Sequence, residues 1–403
     1  MDRMHSRRFP TPIRHDGRDY LTTDQVSKVL GVKTSTIYSY VSRGRLHSQR
    51  ISGHDGSVFA VDEVERLRDG VRHRPPAGVA ERIATQLTLL RDDRLHYRGV
   101  PATDLARDET LEGVAALLWQ RRWTGGADPA VAASVRALAG PASRGLDRIR
   151  LVVDLLGARD PLRHKIDDES VTRRAAAVIG TAVDVIGDGP SEGSLAQRLW
   201  PRLTDEPATV STTRLLDAAL ILLADHDMSA GTVAARVGAS ARGSVYAVLG
   251  AGLGAFDGPM HGGATTLAYR FLAGALDDPT AALAEAHYGD VAIPGTGHVV
   301  YRHHDPRAEC LIAMLGRIGG GDRRVMAALA AVVDSLAEGD FVNSDLALAA
   351  LALRFRMRPD AAETIFAIAR MVGWVAHALE EYRAPRLRFR PEGIYTGVHP
   401  QAR

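Results

Sequence analysis

The sequence predicts a mainly α-helical protein in which a small basic module precedes a large helical body. Two observations carry that prediction. Ala, Leu and Val dominate the long segments at helical spacing, aromatic residues make up only 5%, and alternating β-branched runs are scarce. The charge is also unevenly placed: residues 1–80 carry a net +5, whereas the whole chain carries +2. A basic front end on a mildly acidic remainder suggests two functions in one chain. With 403 residues, 45% apolar and 24% charged, the chain has the composition of a globular protein of two or three domains. The single cysteine, Cys310, excludes a disulfide framework or a cysteine-based zinc site within one chain, suits a cytoplasmic location, and reads as a small core hydrophobe in AECLIAMLG. No run of about 18 uninterrupted apolar residues exists, so no membrane-spanning helix is expected. The first ten residues lack the apolar stretch of a secretory leader.

Taken in order, residues 1–18 are polar and aperiodic and are expected to form a mobile tail. Thr23 is the expected N-cap of a short helix with Val26, Val29 and Leu30 on its apolar face, and Gly31 stops it. Lys33-Thr34-Ser35 restart the chain into a second helix whose inner face is expected to be Ile37, Tyr38 and Val41, ending at Gly44. This is helix–turn–helix spacing, with the second helix placed for a major groove. LHSQRISGHDGSVFA reads as two short strands around Gly53-His54-Asp55-Gly56, and Val61 opens a third helix. Residues 19–72 thus resemble the excisionase and MerR-like winged helix–turn–helix family. The resemblance implies double-stranded DNA as a partner, with Lys33, Thr34, Ser35, Tyr38, Ser39 and Arg43 facing the groove and Arg45 and Arg50 reaching phosphates. A helical protein-interaction module is the alternative. One such module binds DNA weakly, so useful affinity needs a dimer. Residues 73–80, containing Pro75-Pro76, read as a semi-rigid linker to a body over 81–403.

The body reads as a succession of helices, among them TTRLLDAALILLADHD, MSAGTVAARVGAS, LIAMLGRIG, RRVMAALAAVVDSLAEG and AAETIFAIARMVGWVAHALEEY. Four segments carry unusual chemistry. In ADHDM, His226 stands between Asp225 and Asp227, which are expected to orient it. In GPMHGGA, His261 is framed by glycines that let a ligand approach the backbone. In PGTGHVVYRHHDPRA, Gly295 and Gly297 lead to His298, with Arg307 close behind. A glycine loop presenting a histidine near an arginine is a plausible anion and carbonyl site. His303 and His304 read as surface residues or supports. In the last segment Arg370 interrupts an apolar helix and calls for a buried anionic partner, from protein or ligand.

Together these segments resemble the citrate synthase family. The ordered motifs are ADH, GPxHGGA, GxGHxVY…DPRA, Asn-x-Asp, FAxAR…GWxAH and RPxxxYTG, preceded by YRGVPATDLA at 97–106, and the resemblance spans roughly residues 85–398. It implies an all-α fold of a large and a small domain around a cleft, the small one roughly over 270–365. It implies a homodimer, oxaloacetate and an acyl-CoA thioester as substrates, and neither a metal nor a permanently bound cofactor. It assigns His261 to the enol, His298 to the oxaloacetate carbonyl, His226 to the oxo acid, and Arg307, Arg370 and Arg390 to carboxylates, with Arg390 entering from the second subunit. Gly295 and Gly297 would cradle coenzyme A. Asp340-Phe341 and Asn343-Ser344-Asp345 both offer a base. Asp345 is preferred, because its distance of 25 residues to Arg370 reproduces the family interval.

Departures from the family pattern include Leu223 before ADH, Thr265 after HGGA, Val299 after His298, Leu346-Ala347-Leu348 after the base, Glu392 after Pro391, and a short stretch after Trp123. The expected function is therefore condensation of acetyl-CoA or propionyl-CoA with oxaloacetate by a chain carrying a DNA-binding-like module. The alternative is a transcriptional regulator whose enzyme-like body senses these metabolites.

Overall fold

In the computed structural model, which describes residues 10–71, 82–288 and 292–389, the front segment begins with a hairpin. Strands β1 (Ile13–His15) and β2 (Arg18–Thr22) pair antiparallel, Ile13 opposite Tyr20. Asp16 and Gly17 between them take φ of 48° and 76°, the two left-handed residues that a tight hairpin turn requires. The tail expected over 1–18 therefore gives way to ordered strand from Ile13 onward; residues 1–9, and the linker expected over 73–80, lie outside the described residues.

Helices α1 (Thr23–Leu30) and α2 (Thr34–Ser42) follow. Thr22, not Thr23, caps α1: its hydroxyl accepts from Gln25 N at 3.3 Å while its own N–H donates to Gln25 Oε1 at 2.8 Å. Gly31 ends that helix at φ 66°. Strands β3 (Ser48–Gln49) and β4 (Val58–Ala60) complete a sheet ordered β1-β2-β4-β3, and α3 (Val61–Val71) closes the module. Leu21, Val26, Ile37, Leu46, Phe59 and Val64 form its core. The inner face of α2 is Ile37, Tyr40 and Val41; Tyr38, expected there, is 57% exposed, because helical spacing from Ile37 reaches 40 and 41, not 38. Residues 298–303 belong to this same compact unit, where His303 Nε2 lies 3.0 Å from Asp19 Oδ2 and Arg302 pairs with Glu65.

The second unit comprises residues 82–297 and 304–389. It opens with a three-stranded antiparallel sheet that the sequence did not announce: β5 (Thr88–Arg91), β6 (Arg94–Tyr97) and β7 (Val100–Pro101). Helices then follow: α4 (Ala102–Asp108), α5 (Leu111–Trp119), α6 (Pro129–Ala139), α7 (Gly145–Arg159), α8 (Asp168–Asp184) and α9 (Leu195–Leu203). Next come α10 (Val210–Leu223), α11 (Ala230–Ser240), α12 (Val245–Phe256), α13 (Ala264–Asp277) and α14 (Pro279–Tyr288). The last are α15 (Pro306–Arg317), α16 (Arg324–Asp334), α17 (Ser344–Arg354) and α18 (Ala361–Arg383). Of the stretch 270–365, expected as a small domain, residues 298–303 group with the front unit and the other described residues with this one.

Helix α18 is the axis of the body. It packs on α5, α7, α8, α10, α11, α12, α13 and α17, and every residue from Ala361 to Leu379 is buried. By length and composition it is apolar enough to cross a membrane, although Arg370 and His377 interrupt its apolar run; its apolar window is wholly buried inside the protein, as a central core helix requires. Trp374 fits between α11 and α12 because Gly231 and Gly252 leave room: a Cβ there would stand 2.8 and 2.7 Å from the indole.

Candidate active site

His261 sits on a turn between α12 and α13. Phe256 O accepts from Gly262 N and Gly258 O from His261 N, both at 3.0 Å, which folds GPMHGGA back over the end of α12. A Cβ at Gly262 would collide with the Phe256 ring, so this position requires glycine. The imidazole packs against Phe256 and Phe366, with ring centroids 5.0 and 5.7 Å away. Its Nε2 is buried with no hydrogen-bond partner among the described residues. Burial, and then the nearby Arg370 charge, push its pKa down to about 4, so it is neutral at physiological pH.

Asp345 lies in the first turn of α17. Asn343 caps that helix by accepting from Asp345 N at 2.9 Å, and also donates through Nδ2 to Gly297 O at 2.9 Å. Asn343 N reaches Gly295 O at 2.9 Å and Gly297 N reaches Phe341 O at 2.7 Å, so the glycine loop is zipped to the approach to α17. Gly295, at φ 83°, has no space for a side chain, since a Cβ would stand 2.6 Å from Leu346 Cβ. Burial pushes the Asp345 carboxyl up to about 6; the Arg307 and Arg370 charges oppose that rise and Asp305 adds to it. Asp340, the other candidate base, is exposed before this loop pairing begins.

The arginines are held differently. Arg307 forks onto Asp305, Nε to Oδ1 at 3.0 Å and Nη2 to Oδ2 at 2.8 Å. Asp305 is fully buried, caps α15, and accepts from Ser344 N at 3.0 Å, so one carboxylate ties α15 to the start of α17. The sequence reading passed over Asp305, although an Asp before Pro at a helix start is a capping signal. Arg370 donates from Nε to Leu223 O at 2.8 Å and from Nη1 to Ser229 Oγ at 3.3 Å, and its guanidinium lies 4.7 Å over Phe366. The Arg370 charge also lowers the pKa of Asp225 and opposes the rise at Asp345. Phe366 thus has His261 on one contact and Arg370 on another; neither Phe366 nor Phe256 was picked out from sequence.

His226 is buried on the turn after α10. Asp225, expected to orient it, turns its carboxylate to His377 Nε2, 3.1 Å away, and to the Thr88 hydroxyl. His298 lies in the segment grouped with the front unit; its Nδ1 accepts from Val300 N at 3.0 Å, which leaves the ring proton on Nε2. Arg390 lies outside the described residues. On the front module Lys33, Thr34, Ser35, Tyr38, Arg43, Arg45 and Arg50 are exposed and Ser39 is half-buried. The Arg45 guanidinium lies 5.3 Å over Tyr40.

Residues 79–392 match the family model of the citrate synthase C-terminal domain. The chain belongs to the citrate synthase family. It is a citrate-synthase-type acyltransferase preceded by a segment, residues 20–70, that matches a helix-turn-helix domain. Among its relatives, citrate synthase of Haloferax volcanii is 30% identical over 345 residues, covering 75% of this chain and 90% of that one. A 2-methylcitrate synthase of Mycobacterium tuberculosis is 29% identical over 377 residues, covering 84% and 92%. The fold is that of Thermoplasma acidophilum citrate synthase in its complex with carboxymethyl coenzyme A and oxaloacetate (TM-score 0.67, 21% identity, 81% of this chain and 96% of that one). Pyrobaculum aerophilum citrate synthase is similar too (TM-score 0.65, 24% identity, 89% and 96%).

Proposed function

We propose that the chain condenses oxaloacetate with a short acyl-CoA, acetyl-CoA or propionyl-CoA, giving citrate or 2-methylcitrate and free CoA. One observation carries the reading: burial shifts Asp345 and His261 in opposite directions, the carboxyl up to about 6 and the imidazole down to about 4. A carboxylate made more basic takes a proton from the weakly acidic carbon next to the thioester. A neutral imidazole with an unpartnered Nε2 donates to the enol oxygen without bringing a full charge. The enol carbon attacks the oxaloacetate carbonyl, which His298 polarises through Nε2–H and whose developing alkoxide it protonates. Water then cleaves the thioester and releases the thiol. His226, Arg307 and Arg370 hold the oxo acid, Arg390 joins them from the second subunit of a homodimer, and the loop of Gly295 and Gly297 receives coenzyme A. No metal enters the scheme. Relatives named for both products, and a difference of one methylene worth about 1–3 kcal/mol, leave the two acyl groups as the substrate class. Thiol release from each acyl-CoA with oxaloacetate tests the proposal; release with neither overturns it.

The exposed cations flanking α2, Lys33 and Arg43, with Arg45 and Arg50 beyond it, favour a second role beside the first: binding double-stranded DNA through residues 19–72. If thiol release fails while oxaloacetate still alters DNA affinity, the chain is a metabolite-sensing regulator.

A further inference from the structure

The reaction leaves one fully buried histidine unused. His377 lies on α18 two turns beyond Arg370 and has no solvent exposure. Arg236 Nε, from α11, lies 2.9 Å from its Nδ1. A guanidinium only donates, so Nδ1 is the acceptor, the ring proton sits on Nε2, and Nε2 donates to Asp225 Oδ2 at 3.1 Å. The Arg236 charge is answered by Glu381 Oε2 at 2.9 Å and by Glu380, and Glu381 is bridged in turn by Arg388 at 2.6 Å. The chain from Arg388 to His377 is therefore paired, and at its end Asp225 receives its hydrogen bonds on Oδ2, while its buried Oδ1 has none among the described residues.

Asp225 directly precedes His226. The turn that carries both is clipped to one face of α18 at three levels: Arg370 Nε to Leu223 O at 2.8 Å, Gly373 N to Ala224 O at 3.0 Å, and His377 Nε2 to Asp225. Tyr97 adds a fourth hold by donating to Asp225 O at 3.0 Å. At the middle level the fit is tight, since a Cβ on Gly373 would stand 2.5 Å from Asp225 Oδ1.

We propose that His377 is a positioning residue for the oxo-acid site, fixing through Asp225 the turn that bears His226 against the helix that bears Arg370. The proposal rests on the reading that His226 and Arg370 hold oxaloacetate. It predicts a loss confined to that substrate, because the bond registers the two oxo-acid groups against each other and touches no acyl-CoA group.

Two variants of the full chain separate positioning from bulk stability. In His377→Asn the amide stands at the place of Nδ1, can still accept from Arg236, and falls short of Asp225. In His377→Gln the amide stands at the place of Nε2 and reaches it. Asn is expected to raise the KM for oxaloacetate about tenfold, and to weaken calorimetric oxaloacetate binding equally, while the KM for acyl-CoA stays within about twofold; Gln restores most of the loss. Thr88→Val, which removes the other donor to the Asp225 carboxylate, should move the same KM in the same direction, and it decides the matter if Asn does not fold. Unchanged oxaloacetate affinity in Asn, equal changes in both KM values, or Gln no better than Asn each overturn the proposal. Wild-type protein that binds no oxaloacetate overturns the oxo-acid site itself, and this proposal with it. Wild type that binds while the Asn variant binds equally well overturns this proposal alone.

Discussion

Burial moves Asp345 and His261 away from their ordinary titration ranges, a cost that folding alone would avoid. A carboxyl whose folded pKa, about 6, lies above its ordinary 3.8 takes up protons on folding. Its contribution to stability is complete below about 4 and is lost as pH rises through about 6. Asp345→Asn should therefore stabilise the protein at pH 8, by up to about 3 kcal/mol, with no gain at pH 3.5; denaturation at the two pH values checks this. The same variant should lose about 10²–10⁴ in turnover while still binding oxaloacetate, measured by steady-state kinetics and calorimetry. In the wild type kcat/KM should fall as pH drops through about 6, where the base becomes protonated, and His261 should set no limb there because its pKa lies near 4. Both residues were marked as candidates in the sequence, one by the glycines that frame it and the other by an Asn-x-Asp that resembles the citrate synthase pattern. Phe256, Phe366 and Asp305 were not: their contacts to His261, Arg370 and Ser344 join residues that lie apart in the chain or look like ordinary core and capping positions.

Helix α18 and the turn after α10 meet so closely that small changes should be felt at once. Gly373→Ala should lower stability by about 1–3 kcal/mol and raise the KM for oxaloacetate, because the added methyl meets the Ala224 carbonyl and the Asp225 carboxylate; urea denaturation and kinetics read the two effects. Elements with sustained helical periodicity, such as α10, α11, α16 and α18, were legible from sequence. Of the strands, the pair expected around Gly53–Gly56 was legible, since β3 and β4 fall there; the others were not. β1 has three residues and β7 two, too few for an alternating pattern to stand out. β5 and β6 join through Asp92 and Asp93 at φ 51° and 53°, a hairpin turn without the glycine that usually advertises one. The Asp16-Gly17 turn did carry that signal, but the polar residues around it read as a tail.

At the scale of the whole molecule the charge asymmetry was the legible feature, and no hydrophobic cluster spans the two segments: two small clusters draw on residues within 13–67 and one large cluster on residues from 87 onward. Calorimetry of the full chain should accordingly resolve two unfolding transitions. Arg50→Ala should weaken DNA binding across sequences and reduce the slope of log affinity against log salt by about 1, measured by titration at several salt concentrations. Within the body, Phe366, Arg370, Gly373 and His377 recur at helical intervals along α18, so one rigid rod spaces ring stack, guanidinium, close approach and imidazole. A single inserted residue would turn everything beyond it by about 100° and advance it by about 1.5 Å. Between Phe366 and His377 the length of the chain is thus fixed as firmly as the identity of Gly373, a constraint on insertions and deletions that no individual side chain imposes.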